Sequence, residues 1–154
     1  MKKDYESLDD MIHDAKKRAM DLLQRQDRTE SNLTEKLTAE GFPQSIVSIA
    51  IDYVKSYHYI DDIRYAENYI RFHMQDRSKQ RLTYDLLKKG VSRDDIDEAL
   101  SSTYEVSERE QIIELLAKKH YNIETADAKE RNRIIGFLQR RGYQYEDILS
   151  CINS

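Results

Sequence analysis

The sequence predicts an all-α protein, a tandem array of three three-helix repeats that is elongated and curved. Of the 154 residues 35% are charged, and the chain has only 4 glycines and 1 proline. Such a composition favours amphipathic helices over a β-sandwich. In addition, one helical pattern occurs three times, and it ends at glycines that lie 49 and then 52 residues apart.

Each copy of this pattern has two apolar residues four positions apart, followed by a glycine after four more positions. The copies are Leu33, Leu37 and Gly41; Leu82, Leu86 and Gly90; and Ile134, Leu138 and Gly142. Residues four apart share one face of a helix, and glycine fits the left-handed position just beyond a helix end. We therefore expect each glycine to follow a helix with a positive φ, and a further short apolar helix to follow each glycine.

The other helices are predicted from apolar spacing and from capping residues. Helical spacing indicates a first helix at 8–25, and the helix after Pro43 is expected at 44–56. Asp61 is suited to cap a helix, and Ser92 begins a Ser-x-x-Asp capping pattern. The resulting units are 1–58, 59–104 and 105–154, in one continuous array. Because one such unit is small, we expect neighbouring units to stack.

The charge is unevenly distributed along a chain whose net charge is −4. Segment 71–93 has seven basic and two acidic residues, and segment 129–141 has five basic and one acidic. Such segments are typical of a binding surface and equally of ordinary helix surfaces, so both interpretations stay open.

Catalytic and metal-binding patterns are missing from the sequence. The four histidines lie far apart, none has the spacing of a zinc-binding helix, and Cys151 is the only cysteine, at a position that is alanine in the other two units. Asp61 and Asp62 are neighbours on a helix and do not face each other, so capping explains the pair better than acid–base chemistry. We expect a protein that is not an enzyme and has no metal or other cofactor.

The chain has no apolar run of the ~18 residues that a membrane span requires. Its first residues are polar and acidic, which does not resemble a signal peptide. A single cysteine suits a reducing compartment, and the expected location is the cytoplasm.

Tyrosine is abundant, with 11 residues beside 3 phenylalanines and no tryptophan. Six of these tyrosines cluster near the middle of the chain, at positions 53, 57, 59, 65, 69 and 84. Tyrosine suits repeat junctions, where it buries its ring, and it also suits partner interfaces and base stacking. We expect junction packing to be its main use here.

Three segments together resemble the RecX family of bacterial recombination regulators. They are RQDRT at 25–29 leading into LTEKL at 33–37 and Gly41-Phe42, YIDDIRYA at 59–66, and RL at 81–82 leading through Leu86 to KGV at 89–91. The second is similar to the family's Gly-Tyr-Leu-Asp-Asp-x-x-Phe-Ala. His58 stands where the family usually has glycine, Ser78 stands where a glycine commonly precedes the Arg-Leu pair, and the third unit matches only loosely.

The resemblance implies a curved array of three-helix repeats that binds the RecA recombinase filament on single-stranded DNA. It implies that the protein restrains filament growth, strand exchange and the linked ATP hydrolysis, in homologous recombination, DNA repair and the SOS response. It implies no cofactor, and contact with single-stranded DNA through the filament by a monomer. The open alternatives are an autonomous DNA-binding helical protein and a generic helical-repeat scaffold for protein partners.

The candidate partner-contacting residues are basic and come from the two cationic segments. Arg77, Lys79 and Arg81 are the strongest candidates because they crowd a helix start, where positive charge is unfavourable. We expect their reversal to glutamate to weaken binding and to leave the fold intact. The full set is Arg71, Arg77, Lys79, Arg81, Lys88, Lys89, Arg93, Arg131, Arg133, Arg140 and Arg141.

Overall fold

The structure is a computed structural model that describes residues 4–153, and within this range the chain forms nine α-helices and no strand. Residues 1–3 and 154, at the outer ends of the predicted first and third units, lie outside the described residues. The helices are α1 Leu8–Arg25, α2 Glu30–Ala39, α3 Gln44–Ser56, α4 Asp62–His73, α5 Lys79–Lys88, α6 Arg93–Thr103, α7 Glu108–Lys118, α8 Ala128–Arg140 and α9 Tyr145–Ile152. The all-α, three-unit prediction is confirmed.

Each group of three helices encloses its own apolar core. In every group the first helix packs on the third, and the second also packs on the third. The repeated apolar pairs lie at the centres of these cores: Leu33, Leu37, Leu82, Leu86 and Leu138 are fully buried, and Ile134 is 7% exposed. Since the described residues form three separate apolar clusters, the units are not joined by one continuous core.

Cys151 lies in the core of the third group and is 8% exposed. It clusters with Ile148 and Ile152, as expected for a small core residue. Burial raises the pKa of its thiol, which keeps the thiol protonated and unreactive at neutral pH.

Seven of the described helices begin with a side-chain cap. Asp61 accepts a hydrogen bond from the Arg64 amide at 3.1 Å, and Ser92 accepts one from the Asp95 amide at 3.2 Å. Both capping predictions are thereby confirmed. Pro43 and Gln144, which precede α3 and α9, have no side-chain cap.

Removing the Asp61 cap is expected to destabilise the protein. Asp61→Ala leaves an amide of the first turn of α4 without its protein partner and should lower the free energy of unfolding by roughly 0.5–2 kcal/mol. Asp61→Asn and Asp61→Ser retain an acceptor oxygen and should be tolerated. Urea denaturation of the three variants measures this, and equal losses in all three would contradict a capping role.

Five of the helices in the described range are followed, two residues beyond their last residue, by a residue in the left-handed conformation. Gly41, Gly90 and Gly142 have φ values of 98°, 88° and 94°, which confirms the predicted glycine stops. His58 and His120, after α3 and α7, have φ values of 59° and 56°. The chain therefore keeps a glycine-like conformation at His58. The two histidine stops could not be predicted from the sequence pattern, because only glycine marks this position reliably.

The groups are joined by polar contacts between the ends of their second helices. Thr29 caps α2 by accepting from the Asn32 amide at 3.1 Å, and its hydroxyl donates to the Lys89 carbonyl at the end of α5 at 2.8 Å. The positive end of α2 thus meets the negative end of α5, which is a favourable arrangement of helix dipoles. Asp62 completes this junction by accepting from the Glu30 amide at 2.8 Å.

The second junction repeats the first with different residues. Ser78 accepts from the Arg81 amide at 3.1 Å and donates to the Arg141 carbonyl at 3.1 Å. Glu108, near the position of Asp62 in its unit, accepts from the Lys79 amide at 2.8 Å. The near-identical segments 26–29 and 75–78 thus share a role: each ends in a residue with a hydroxyl group, and that hydroxyl binds the next unit.

Both junctions leave no room for a side chain at the glycine that follows the second helix. A Cβ at Gly90 would lie 2.3 Å from the Ser31 Cβ, and a Cβ at Gly142 would lie 2.4 Å from the Ser78 Oγ. At Gly41, in the first of the three described units, nothing lies within 4 Å. Glycine therefore has a second role at Gly90 and Gly142, because it allows the units to approach.

Candidate partner-binding surface

The predicted contact residues of the central unit fall into two groups. Four of its arginines pair with carboxylates of the same unit: Arg71 with Glu67 at 3.8 Å, Arg77 with Asp85 at 2.8 Å, Arg81 with Asp85 at 3.1 Å, and Arg93 with Asp97 at 3.5 Å. The three lysines, Lys79, Lys88 and Lys89, have no carboxylate within salt-bridge distance in the described range.

Arg77 and Arg81 have a structural role that the sequence interpretation did not include. Both guanidinium groups bind Asp85, whose side chain is 11% exposed. Arg77 also donates to the Tyr69 hydroxyl at 2.8 Å. These pairs argue against the expectation that Arg77, Lys79 and Arg81 can all become glutamate without harm to the fold, because the change would place two carboxylates beside a nearly buried third one.

The unpaired lysines lie over tyrosine rings. Lys88 is 5.0 Å from the centre of Tyr84, and Lys89 is 5.4 Å from the centre of Tyr69. Arg81 and Arg77 lie over the same two rings at 5.7 and 5.9 Å. The result is an alternating surface, which we call the cation–tyrosine strip, made of Tyr69, Arg77, Arg81, Tyr84, Lys88 and Lys89. Lys79 lies nearby, 5.4 Å from the centre of the Tyr104 ring.

Aromatic side chains on α4 extend this strip. His73 lies 4.4 Å from Tyr69 between ring centres, and Phe72 lies 4.8 Å from His73. Burial, and then the positive charge of Arg77, lower the pKa of His73, so its ring is neutral at pH 7. Phe72 is 82% exposed, an unusual state for a large apolar side chain and one that is typical of binding surfaces. The exposure of Phe72 was not predictable from the sequence, since exposure on a helix depends on which face the tertiary contacts cover.

The tyrosines do not follow the junction expectation as a group. Tyr57, Tyr59 and Tyr84 are 58%, 47% and 51% exposed, so they do not bury their rings at a junction. Two other tyrosines bond within their own groups: the Tyr104 hydroxyl donates to the Arg77 carbonyl in the second group at 3.0 Å, and the Tyr143 hydroxyl donates to Gln111 in the third at 2.7 Å. Burial raises the pKa of Tyr104 to about 12, so this donor keeps its proton.

The predicted contact residues of the third unit lie on or beside α8. Arg131, Arg133, Arg140 and Arg141 have no carboxylate within salt-bridge distance among residues 4–153. Arg133 and Arg140 line a cavity of about 370 Å³ between α8 and the segment that follows α7, together with Phe137. The Arg141 guanidinium lies 4.8 Å from the centre of the Phe137 ring. The structure thus brings four of the candidates together in the central strip and two, Arg133 and Arg140, in a cavity of the third unit.

Within the described part of the chain, no group of three or more histidine, cysteine, aspartate or glutamate side chains is placed to hold a metal ion. No helix in that part is long and apolar enough to span a membrane.

These features define a class of protein, an all-α tandem repeat that presents cationic, tyrosine-lined surfaces. The chain belongs to the RecX family. Family models for the first, second and third three-helix domains of RecX match residues 15–53, 61–100 and 107–152.

Relatives and solved structures agree with this assignment. The regulatory protein RecX of Clostridium botulinum is 30% identical over 146 residues, covering 93% of this chain and 69% of the relative. That of Vibrio campbellii is also 30% identical, covering 94% and 93%. The crystal structure of RecX from Lactobacillus salivarius superposes with a TM-score of 0.79 at 25% identity, covering 95% of this chain and 97% of the other.

Proposed function

We propose that this protein binds the RecA recombinase filament formed on single-stranded DNA and restrains its growth, strand exchange and ATP hydrolysis. Membership of a family of regulatory proteins supports a regulatory role. The proposal adds the partner and the effect. It also holds that the protein has no catalytic activity of its own and acts in the cytoplasm.

One observation carries the proposal, the cation–tyrosine strip of the central unit. It places four cations against one carboxylate, Asp85, on a chain that is acidic overall. Cations attract phosphates, and tyrosine faces accept bases or apolar side chains. A surface that offers both suits a partner made of protein and nucleic acid together.

The third helices argue against an autonomous DNA-binding protein that reads bases with them. In α3 the side chains of Ile46, Val47, Ala50 and Val54 are at most 2% exposed, and Ile51 is 5% exposed. The charged side chains of α3 are one acidic and one basic, Asp52 and Lys55, so its exposed face lacks the excess positive charge with which a recognition helix approaches DNA.

The binding test compares filament with naked DNA. We expect the protein to bind recombinase-coated oligothymidylate more tightly than the bare oligonucleotide at every salt concentration. The strip variant neutralises the strip's two lysines and the neighbouring Lys79, with Lys79→Gln, Lys88→Gln and Lys89→Gln together. It should weaken filament binding by about tenfold or more and make its salt dependence shallower.

The matched control neutralises three lysines of the first unit, Lys16, Lys17 and Lys36, of which Lys16 also lies over a tyrosine ring, at 4.6 Å from the centre of Tyr53. We expect this control to bind like the wild type. Equal weakening by both triple variants, or equal binding of bare and coated DNA, would contradict the proposal.

A further inference from the structure

The cavity between α8 and the segment that follows α7 has a chemistry different from that of the central strip. Its apolar lining is Tyr121, Ile134 and Phe137, and its charged lining includes Lys119, Arg133 and Arg140. The volume, about 370 Å³, can hold one large apolar side chain. None of these three cations has a carboxylate within salt-bridge distance in the described range, although Glu130 lies at the same cavity.

We propose that this cavity is a docking site for an acidic peptide segment that carries one large apolar side chain. The apolar side chain enters between Ile134 and Phe137, and flanking carboxylates pair with Arg133, Arg140 and Lys119. This site is separate from the cation–tyrosine strip, and the inference does not depend on the recombinase being the partner.

Charge complementarity argues for an anionic occupant. Uncompensated cations around a partly apolar cavity repel one another, and an acidic ligand relieves this repulsion while it gains hydrogen bonds from two guanidinium groups. Removing an apolar side chain from water into the cavity adds affinity that charge pairing alone does not supply.

Two cations close to the Phe137 ring argue for a peptide as the occupant over single-stranded nucleic acid. Lys119 lies 4.5 Å and Arg141 4.8 Å from the centre of this ring. A nucleobase would have to displace a cation in order to stack there, whereas an aliphatic or aromatic side chain can pack against Ile134 and Tyr121.

The test uses a synthetic peptide with a fluorescent label, a central phenylalanine and four aspartates on each side, measured by fluorescence anisotropy with the full chain. Two further probes have the same label: the same peptide with alanine at the centre, and an oligothymidylate of eight nucleotides. We expect the phenylalanine peptide to bind at least about tenfold more tightly than either of them.

The matched variants reverse charges on the same helix. Arg133→Glu with Arg140→Glu should weaken binding of the phenylalanine peptide by about tenfold or more, since both exposed side chains line the cavity. Lys129→Glu, outside the cavity lining, should leave it within about twofold. Should the double variant melt below the wild type, Arg133→Gln alone replaces it, with a smaller loss in the same direction.

Three results would overturn this inference. They are equal binding of the alanine and phenylalanine peptides, equal weakening by Lys129→Glu and the cavity variant, and binding of the oligothymidylate that is tighter than that of the phenylalanine peptide and is weakened by the cavity variant. The last would assign the cavity to nucleic acid.

Discussion

Gly90→Val is expected to destabilise the protein by about 2–5 kcal/mol, because two penalties add at this position. A β-branched residue is strained at a φ of +88°, and its Cβ would lie 2.3 Å from the Ser31 Cβ of the preceding unit. Thermal and urea unfolding measure the loss. An unchanged melting temperature would show that both the helix stop and the junction have been misinterpreted.

Gly41 provides the control that separates the two penalties. It has a φ of +98° but open space around the Cβ position, so Gly41→Val should lose stability through backbone strain alone. The Gly90 variant should therefore lose more stability than the Gly41 variant.

A double-mutant cycle with Ser31 measures the junction term directly. The atoms that Cβ would meet first are the Ser31 Cβ and Oγ, and Ser31→Gly removes both. Gly90→Ala should consequently cost less in a Ser31→Gly background than in the wild type, with a coupling energy of about 1–3 kcal/mol. A coupling near zero would mean that the units do not approach at this point.

Gln111→Leu is the second substitution with a large expected effect, a loss of about 2–4 kcal/mol. Gln111 is 3% exposed, and its amide donates to the Met74 carbonyl and accepts from the Tyr143 hydroxyl at 2.7 Å. Tyr143 is also 3% exposed, and burial raises the pKa of its hydroxyl, which stays a donor. Leucine leaves this hydroxyl and the carbonyl without their partners. Gln139→Leu, at an exposed position on α8, is the matched control and should cost little.

The Tyr143 hydroxyl allows the network to be tested as a unit. Tyr143→Phe should cost about 1 kcal/mol in the wild type, because it leaves the Gln111 carbonyl oxygen unsatisfied. In the Gln111→Leu background the same change removes an orphaned hydroxyl and should cost nothing or stabilise. Additive losses in the two backgrounds would show that the two side chains act independently.

The helices and their stops were predictable because their causes are local. Capping by Asp61 and Ser92 acts over three residues, and the φ of Gly90 follows from the helix that it ends. The close approach of the neighbouring unit, which also requires glycine at position 90, was not predictable. Ser31 is far from Gly90 in the sequence and approaches it only at the junction between the units. The same holds for Thr29 and Ser78, whose repetition was visible but whose hydroxyls bind carbonyls 60 and 63 residues away.

The candidate site was predictable in composition and not in arrangement. The cationic segments were visible, but a charge count does not show that Asp85 engages Arg77 and Arg81 while Lys88 and Lys89 stay unpaired. The pairing depends on the register of α5 and on Tyr69, which lies on another helix. Phe137 was not singled out because its environment requires α7 and the end of α8 to meet around it.

The central claim, restraint of the recombinase filament through the central unit, is tested most directly by recombinase ATP hydrolysis on single-stranded DNA. Adding the wild-type protein is expected to lower the steady-state rate. The strip variant with glutamine at positions 79, 88 and 89 should lose most of this effect at moderate salt, and the first-unit control at positions 16, 17 and 36 should keep it. An unchanged hydrolysis rate with folded wild-type protein would contradict the proposed function, and full inhibition by the folded strip variant would contradict the assigned surface.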